Sequence, residues 1–190
     1  GAERVLGVMD EDQAMPNNGT IAKDHFDGKI EFEKVHFAYD DKQEVLKGID
    51  FKVNPGETVA IVGATGAGKS TIISLITRLY DINSGKIMLD DMDIRDYELY
   101  NLRSHIGVVL QDVFLFHGSI FENLTLGDED ITLEKIKKAA REIEVDEFIE
   151  KLPNGYDYVV SERGSSISLG QRQLLSFLRA YLSDPKILIL

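Results

Sequence analysis

From Lys29 onward, apolar residues fall on every second position. Ile30 and Phe32 form one pair, and Val35 and Phe37 form another whose phase is offset from the first. Period two is the mark of a half-buried strand, so strands are predicted here, with an irregularity between the two pairs. Ile49, Phe51 and Val53 repeat the pattern and stop at the turn Asn54-Pro55-Gly56. Thr58-Val59-Ala60-Ile61-Val62 is apolar enough to predict another strand, after which the spacing becomes helical. Ile72, Ile73, Leu75, Ile76 and Leu79 supply the apolar positions of a helix beginning near Lys69. A turn at Asn83-Ser84-Gly85, a short strand over Lys86–Leu89 and a helix near Tyr97–Arg103 follow. Ile106–Leu110 is a continuous apolar run, as expected of a parallel strand covered on both faces.

From Gln111 to Asp184 the pattern is mainly helical. Leu133, Ile136, Ala139, Ala140 and Ile143 define one apolar stripe; Leu174, Leu175, Leu178, Tyr181 and Leu182 define another. Asp184-Pro185 ends the last helix, and Lys186–Leu190 reads as an interior strand at which the chain looks cut. At the other end, Val5, Leu6, Val8 and Met9 predict a short helix, and the polar stretch through Pro16 and Gly19 reads as linker.

Composition narrows the class. A chain of 190 residues suits one domain, with room for two lobes. Its formal charge of −12 argues against a nucleic-acid-binding surface, and the absence of cysteine excludes disulfides and thiolate metal sites. No apolar run is long enough to cross a membrane, and the N-terminus does not read as a secretory signal. Asn18-Gly19-Thr20 and Asn123-Leu124-Thr125 match the glycosylation pattern and are read as coincidence.

The strongest local signal is Gly63-Ala64-Thr65-Gly66-Ala67-Gly68-Lys69-Ser70, which fills G-x-x-x-x-G-K-[ST] without a mismatch. Glycines let successive backbone N–H groups curl around one anion, and the following helix N-terminus adds partial positive charge. Lys69 can reach terminal phosphates, and the Ser70 hydroxyl can sit on Mg²⁺. The plainer alternative is a tight strand-to-helix turn that needs glycine for positive φ. A second motif, Ser165-Ser166-Ile167-Ser168-Leu169-Gly170-Gln171-Arg172-Gln173, stands directly before an amphipathic helix. There Ser168 is a good N-cap and Gly170 permits close backbone approach, although a well-capped helix alone would account for both.

Together these motifs resemble the nucleotide-binding domain of ATP-binding-cassette transporters, of the multidrug and lipid exporter type, over essentially the whole chain. The glycine loop resembles the family's Walker A, Ile167–Gln171 its signature, and Val109-Leu110-Gln111-Asp112 its Q-loop. Phe37-Ala38-Tyr39 is similar to the adenine-stacking A-loop, and Ser161-Glu162-Arg163-Gly164 to the X-loop. Ala2–Leu6 resembles the connector from a last membrane helix, and Ile120–Leu124 the start of the helical lobe.

The resemblance implies an α/β fold: a P-loop NTPase core with a mostly parallel sheet, an N-terminal antiparallel β subdomain and a helical signature subdomain, with the C-terminal part of the fold missing. Residues 1–28 would be the connector. Residues 29–190 would be the nucleotide-binding domain, made of 29–110, a helical lobe at 111–185 and the start of the Walker B strand at 186–190. ATP and Mg²⁺ are the implied cofactors. Tyr39, Gly63, Thr65, Gly66, Ala67, Gly68, Lys69, Ser70 and Thr71 would hold the nucleotide, while Ser168, Gly170 and Gln171 would face the γ-phosphate bound by a second such domain, head to tail. Lys69 and Gln111 would be catalytic, and Ser70 and Gln111 would meet the metal.

From the residues alone, Tyr39 is equally readable as a half-buried strand residue, Gln111 as a polar strand terminator and Glu162-Arg163 as a solvated pair. By resemblance, the Gln111 loop and Glu162-Arg163 would contact a transmembrane domain, placing the chain on the cytoplasmic side of a membrane. Two departures stand out. Leu169 occupies a signature position that is often glycine, and no Walker B Asp or catalytic Glu follows Lys186–Leu190. The expected function is an exporter's ATP-driven motor domain, with these residues alone hydrolysing poorly. A non-hydrolysing nucleotide switch and a soluble cassette ATPase are the alternatives.

Overall fold

The structure, a computed structural model, describes residues 15–40, 43–110, 113–160 and 167–190. The N-terminal helix and connector expectations, Gln111 with Asp112, and Glu162 with Arg163 lie outside these residues. Contacts divide the chain into two compact units, Gly1–Leu102 and Arg103–Leu190.

The first unit is built on an antiparallel sheet of order β2-β1-β3-β4, formed by β1 (Ile30–Ala38), β2 (Glu44–Val53), β3 (Ser84–Leu89) and β4 (Met92–Asp93). The offset between Phe32 and Val35 is a bulge within one continuous strand. The register against β2 shifts there, Lys34 takes φ 46°, and its amide donates to Asp50 Oδ1 at 2.9 Å. The extra residue restores the alternation, so Ile30, Phe32, Val35 and Phe37 all enter the core despite the change of phase. Helix α1 (Lys69–Ile76) buries Ile72, Leu75 and Ile76 as its spacing predicts. It stops before Leu79, which is exposed, because Arg78 turns to φ 49° and Leu79 N donates to Ser74 O at 2.8 Å. A single 3₁₀ turn (Ile94–Asp96) follows, and then helix α2 (Leu99–Ser104), within which the division between the units falls.

One expectation fails. Thr58–Val62 forms no strand and pairs with none among the described residues, and Val62 is 91% exposed. An apolar run becomes a parallel strand only where neighbours supply hydrogen bonds and cover both faces. Among the described residues, β1 to β4 pair only with one another, so this segment has no partner strand.

Residues 16–28, expected to be connector or linker, are fastened with Lys29 to the same unit. Thr20 and Ile21 donate to Asp96 O, Glu98 N donates to Ile21 O, and Asn101 exchanges two hydrogen bonds with the Lys23 backbone. The Asp90 carboxylate accepts from the amides of Asp27, Gly28 and Lys29 at 2.8–3.0 Å. Phe26 is buried against Tyr97, with ring centroids 5.1 Å apart.

The second unit pairs β5 (Ile106–Val108) in parallel with β8 (Ile187–Ile189), and Val109 N extends the ladder to Ile189 O at 2.9 Å. Among the described residues, no other strands pair in parallel, although a single parallel bridge joins Ile21 to Tyr97 in the first unit. The rest is helical, as the 3.6-residue periodicity predicts: α3 (Ile120–Thr125), α4 (Leu133–Glu142), α5 (Asp146–Glu150) and α6 (Leu169–Leu182). A small antiparallel pair, β6 (Gly118–Ser119) with β7 (Val159–Val160), joins them. Their apolar faces converge on one core that includes Leu115, Ile120, Ile136, Ile149, Leu175 and Leu178.

Candidate functional site

In the first unit, Gly66 and Gly68 take φ 84° and 87°, which L-residues rarely adopt. A Cβ on Gly66 would meet nothing within 4 Å, whereas one on Gly68 would lie 2.6 Å from Leu46 Cδ2. The loop is therefore open at its crown and tightly seated at its base. Gly68 is the N-cap of α1 and carries no side-chain cap bond. The ladder begins with Ile72 N donating to Gly68 O at 3.0 Å, so the amides of Lys69, Ser70 and Thr71 precede it.

The first turn of α1 has no acidic residue, in a chain carrying 33 acidic side chains against 21 basic ones. Nothing local opposes an anion there. Lys69 Nζ donates to Gly63 O at 2.6 Å and Ala64 O at 2.9 Å, which lays the ammonium across the loop. Open glycines, uncapped amides and one ammonium fit a nucleotide's phosphates, and the exposed Ser70 hydroxyl fits a hard cation such as Mg²⁺.

Tyr39, at the end of β1, comes to the same place. Its hydroxyl shares a hydrogen bond of 3.0 Å with Thr71 Oγ1, either oxygen being able to donate. Thr71 is 4% exposed and Tyr39 53%, so the ring is anchored at one end and still presents surface to a ligand. The structure thus brings Tyr39, the loop Gly63–Ser70 and Thr71 together in one unit.

In the second unit, Ser168 is the N-cap of α6 and closes a capping box with Gln171. Its Oγ accepts from Gln171 N at 3.2 Å, and Gln171 Oε1 accepts from Ser168 N at 3.0 Å. Both bonds use acceptor lone pairs, so the Ser168 O–H and the Gln171 amide hydrogens remain as donors. Gly170 has open space where a Cβ would stand, and Leu169 projects outward. Ile167, by contrast, is buried among the helices as the motif's anchor. Open backbone and outward donors at a helix N-terminus suit an anion.

The ABC transporter family profile matches residues 46–190. The chain belongs to the ABC transporter family. It is 49% identical over its whole length to a putative ABC transporter ATP-binding protein, exp8, of Streptococcus pneumoniae, and covers 32% of that protein. It is 43% identical, again over its whole length, to the ATP-dependent lipid A-core flippase of Chromohalobacter salexigens, covering 33% of it. A solved structure of a bacterial Atm1-family ABC exporter with ATP bound superposes with a TM-score of 0.88 at 35% identity, over 98% of this chain and 33% of that one. The chain spans about a third of the length of the curated relatives it matches.

For this family member, sequence reasoning missed three features. Tyr80 packs edge-on against Tyr39, 5.0 Å between centroids, and no motif marks it. Arg179 holds α6 to two backbone carbonyls, donating from Nε to Asn123 O at 2.9 Å and from Nη1 to Phe114 O at 3.5 Å; burial pulls its pKa down. Asn123 is 2% exposed, and its Nδ2 donates to Phe116 O and Ser119 O.

Proposed function

We propose that the chain is the nucleotide-binding domain of an ABC exporter, working on the cytoplasmic side of a membrane and coupling ATP binding and hydrolysis to export. The observation that carries this reading is the uncapped first turn of α1 beneath the glycine loop, with Lys69 lying across it. The amides from Thr65 to Thr71 clasp phosphate, Lys69 neutralises the terminal oxygens and Tyr39 stacks on the base. Ser70, with Gln111, would hold Mg²⁺. When bound, the ion would neutralise charge on the phosphate oxygens.

In this reading Lys69 and Gln111 are the catalytic residues contributed by this chain, the lysine by charge and the glutamine by orienting water. Ser168, Gly170 and Gln171 would donate to the γ-phosphate held by a second nucleotide-binding domain, arranged head to tail. The Gln111 loop and Glu162-Arg163 would touch a transmembrane domain of the same transporter. A carboxylate that accepts the attacking water's proton strengthens phosphoryl transfer and none is assigned among these residues, so these residues alone should bind nucleotide and hydrolyse it poorly.

Calorimetric titration with Mg-ATP tests the reading. Lys69→Ala should weaken binding by roughly 10- to 100-fold, as expected for one charge-assisted contact. Equal affinity of the two proteins, or heat-silent titrations of both, would overturn it.

A further inference from the structure

Tyr39 is held by both ends of one helix. At the first turn of α1, Thr71 Oγ1 grips its hydroxyl. Just past the last turn, Tyr80 meets its ring edge to face, at 5.0 Å and 87°. Phe37, buried in the sheet, makes a second perpendicular contact at 4.9 Å and 84°, and it also packs on Tyr80 at 5.8 Å. Perpendicular pairs at these distances are the attractive arrangement for aromatic quadrupoles.

Tyr80 itself is placed by the left-handed turn at Arg78. That residue is 2% exposed, and its guanidinium donates to Asp81 Oδ1 at 3.2 Å and Pro16 O at 3.1 Å. Tyr80 is 46% exposed, more surface than a residue serving only to fill the core would leave in water.

We propose that Tyr80 is a positioning residue for nucleobase recognition. It props the Tyr39 ring so that a planar aromatic base can stack on it, while Thr71 ties the same ring to the helix that bears the phosphate amides. The proposal rests on the nucleotide-binding reading above. It adds that affinity for the base is set by a residue that touches neither base nor phosphate. Thr71 has two roles: its backbone amide belongs to the phosphate cradle, and its side chain belongs to the base platform.

The test is a calorimetric comparison of Mg-ATP with Mg-tripolyphosphate, which keeps the phosphates and lacks the base. Wild type, Tyr80→Ala, Tyr80→Phe and Tyr39→Phe are titrated as the full chain. Tyr80→Ala should weaken Mg-ATP by about 3- to 10-fold, the worth of one aromatic contact, and leave Mg-tripolyphosphate within about 2-fold. Tyr80→Phe, which keeps the ring, should restore Mg-ATP affinity. Tyr39→Phe, which keeps the stacking surface and loses only the tether to Thr71, should weaken Mg-ATP alone by about 2- to 5-fold.

Equal loss of both ligands in Tyr80→Ala, or loss of neither, overturns the proposal, as does failure of Tyr80→Phe to rescue. Wild type binding tripolyphosphate as tightly as ATP also overturns it, since no base contribution would then exist to be positioned. Wild type binding neither ligand would instead overturn the nucleotide reading itself.

Discussion

The two functional helices begin in opposite ways. At α1 the N-cap is Gly68, without a side chain, and the first amides are left to whatever enters the loop. At α6 the N-cap is Ser168, locked reciprocally to Gln171, so the amides of Ser168 and Gln171 are satisfied before any ligand arrives. In the proposed reading, one end is finished by an anion. The other is finished by its own chain and presents only spare donors. Affinity should therefore be concentrated at α1, while α6 should read a phosphate that is already held.

Exchanging the character of these two ends breaks or sharpens the contrast. The largest expected effect is Gly68→Ala. A Cβ at φ 87°, 2.6 Å from the buried Leu46 Cδ2, should destabilise the chain by about 1–3 kcal/mol, read from urea unfolding. Ser168→Ala should cost about 1 kcal/mol in the same assay, because it opens the capping box and frees Gln171. It should leave Mg-ATP affinity of the isolated chain unchanged, since α1 is untouched. The smallest effect has the opposite sign. Gly170→Ala should raise stability by about 0.5 kcal/mol, because a helical glycine with open space around it loses only backbone entropy by being glycine. In a whole transporter the same methyl should lower ATP turnover, because it stands where a second domain's phosphate must approach. Stabilisation without loss of turnover would mean that α6 does not face a nucleotide.

What was legible from sequence divides along similar lines. The start of α1 at Lys69, the Ser168 cap, the α4 stripe and Leu175, Leu178 and Leu182 of α6 are local properties of spacing and appear where the pattern places them, whereas Leu174 and Tyr181 of the α6 stripe are exposed. Thr58–Val62 was not legible in the same way. Its composition is that of a strand, but pairing is a property of neighbours, and β1 to β4 pair with one another and not with it. Tyr80 was hidden because its placement depends on Arg78 adopting positive φ, a conformation rarely predictable for a bulky residue. The link from Tyr39 to Thr71 joins two motifs that each look complete alone.

The mooring of residues 16–29 has a mechanical consequence. Tension applied to the chain ahead of Pro16 would not unravel this stretch one bond at a time. Ile21 lies parallel to Tyr97 in a bridge, so the pull would load that bridge and the adjoining amide bonds together, in shear. Part of the load would pass through the Pro16 carbonyl to the Arg78 guanidinium, just beyond the tail of α1. Whatever tugs at this strap would be felt first at the back of α1.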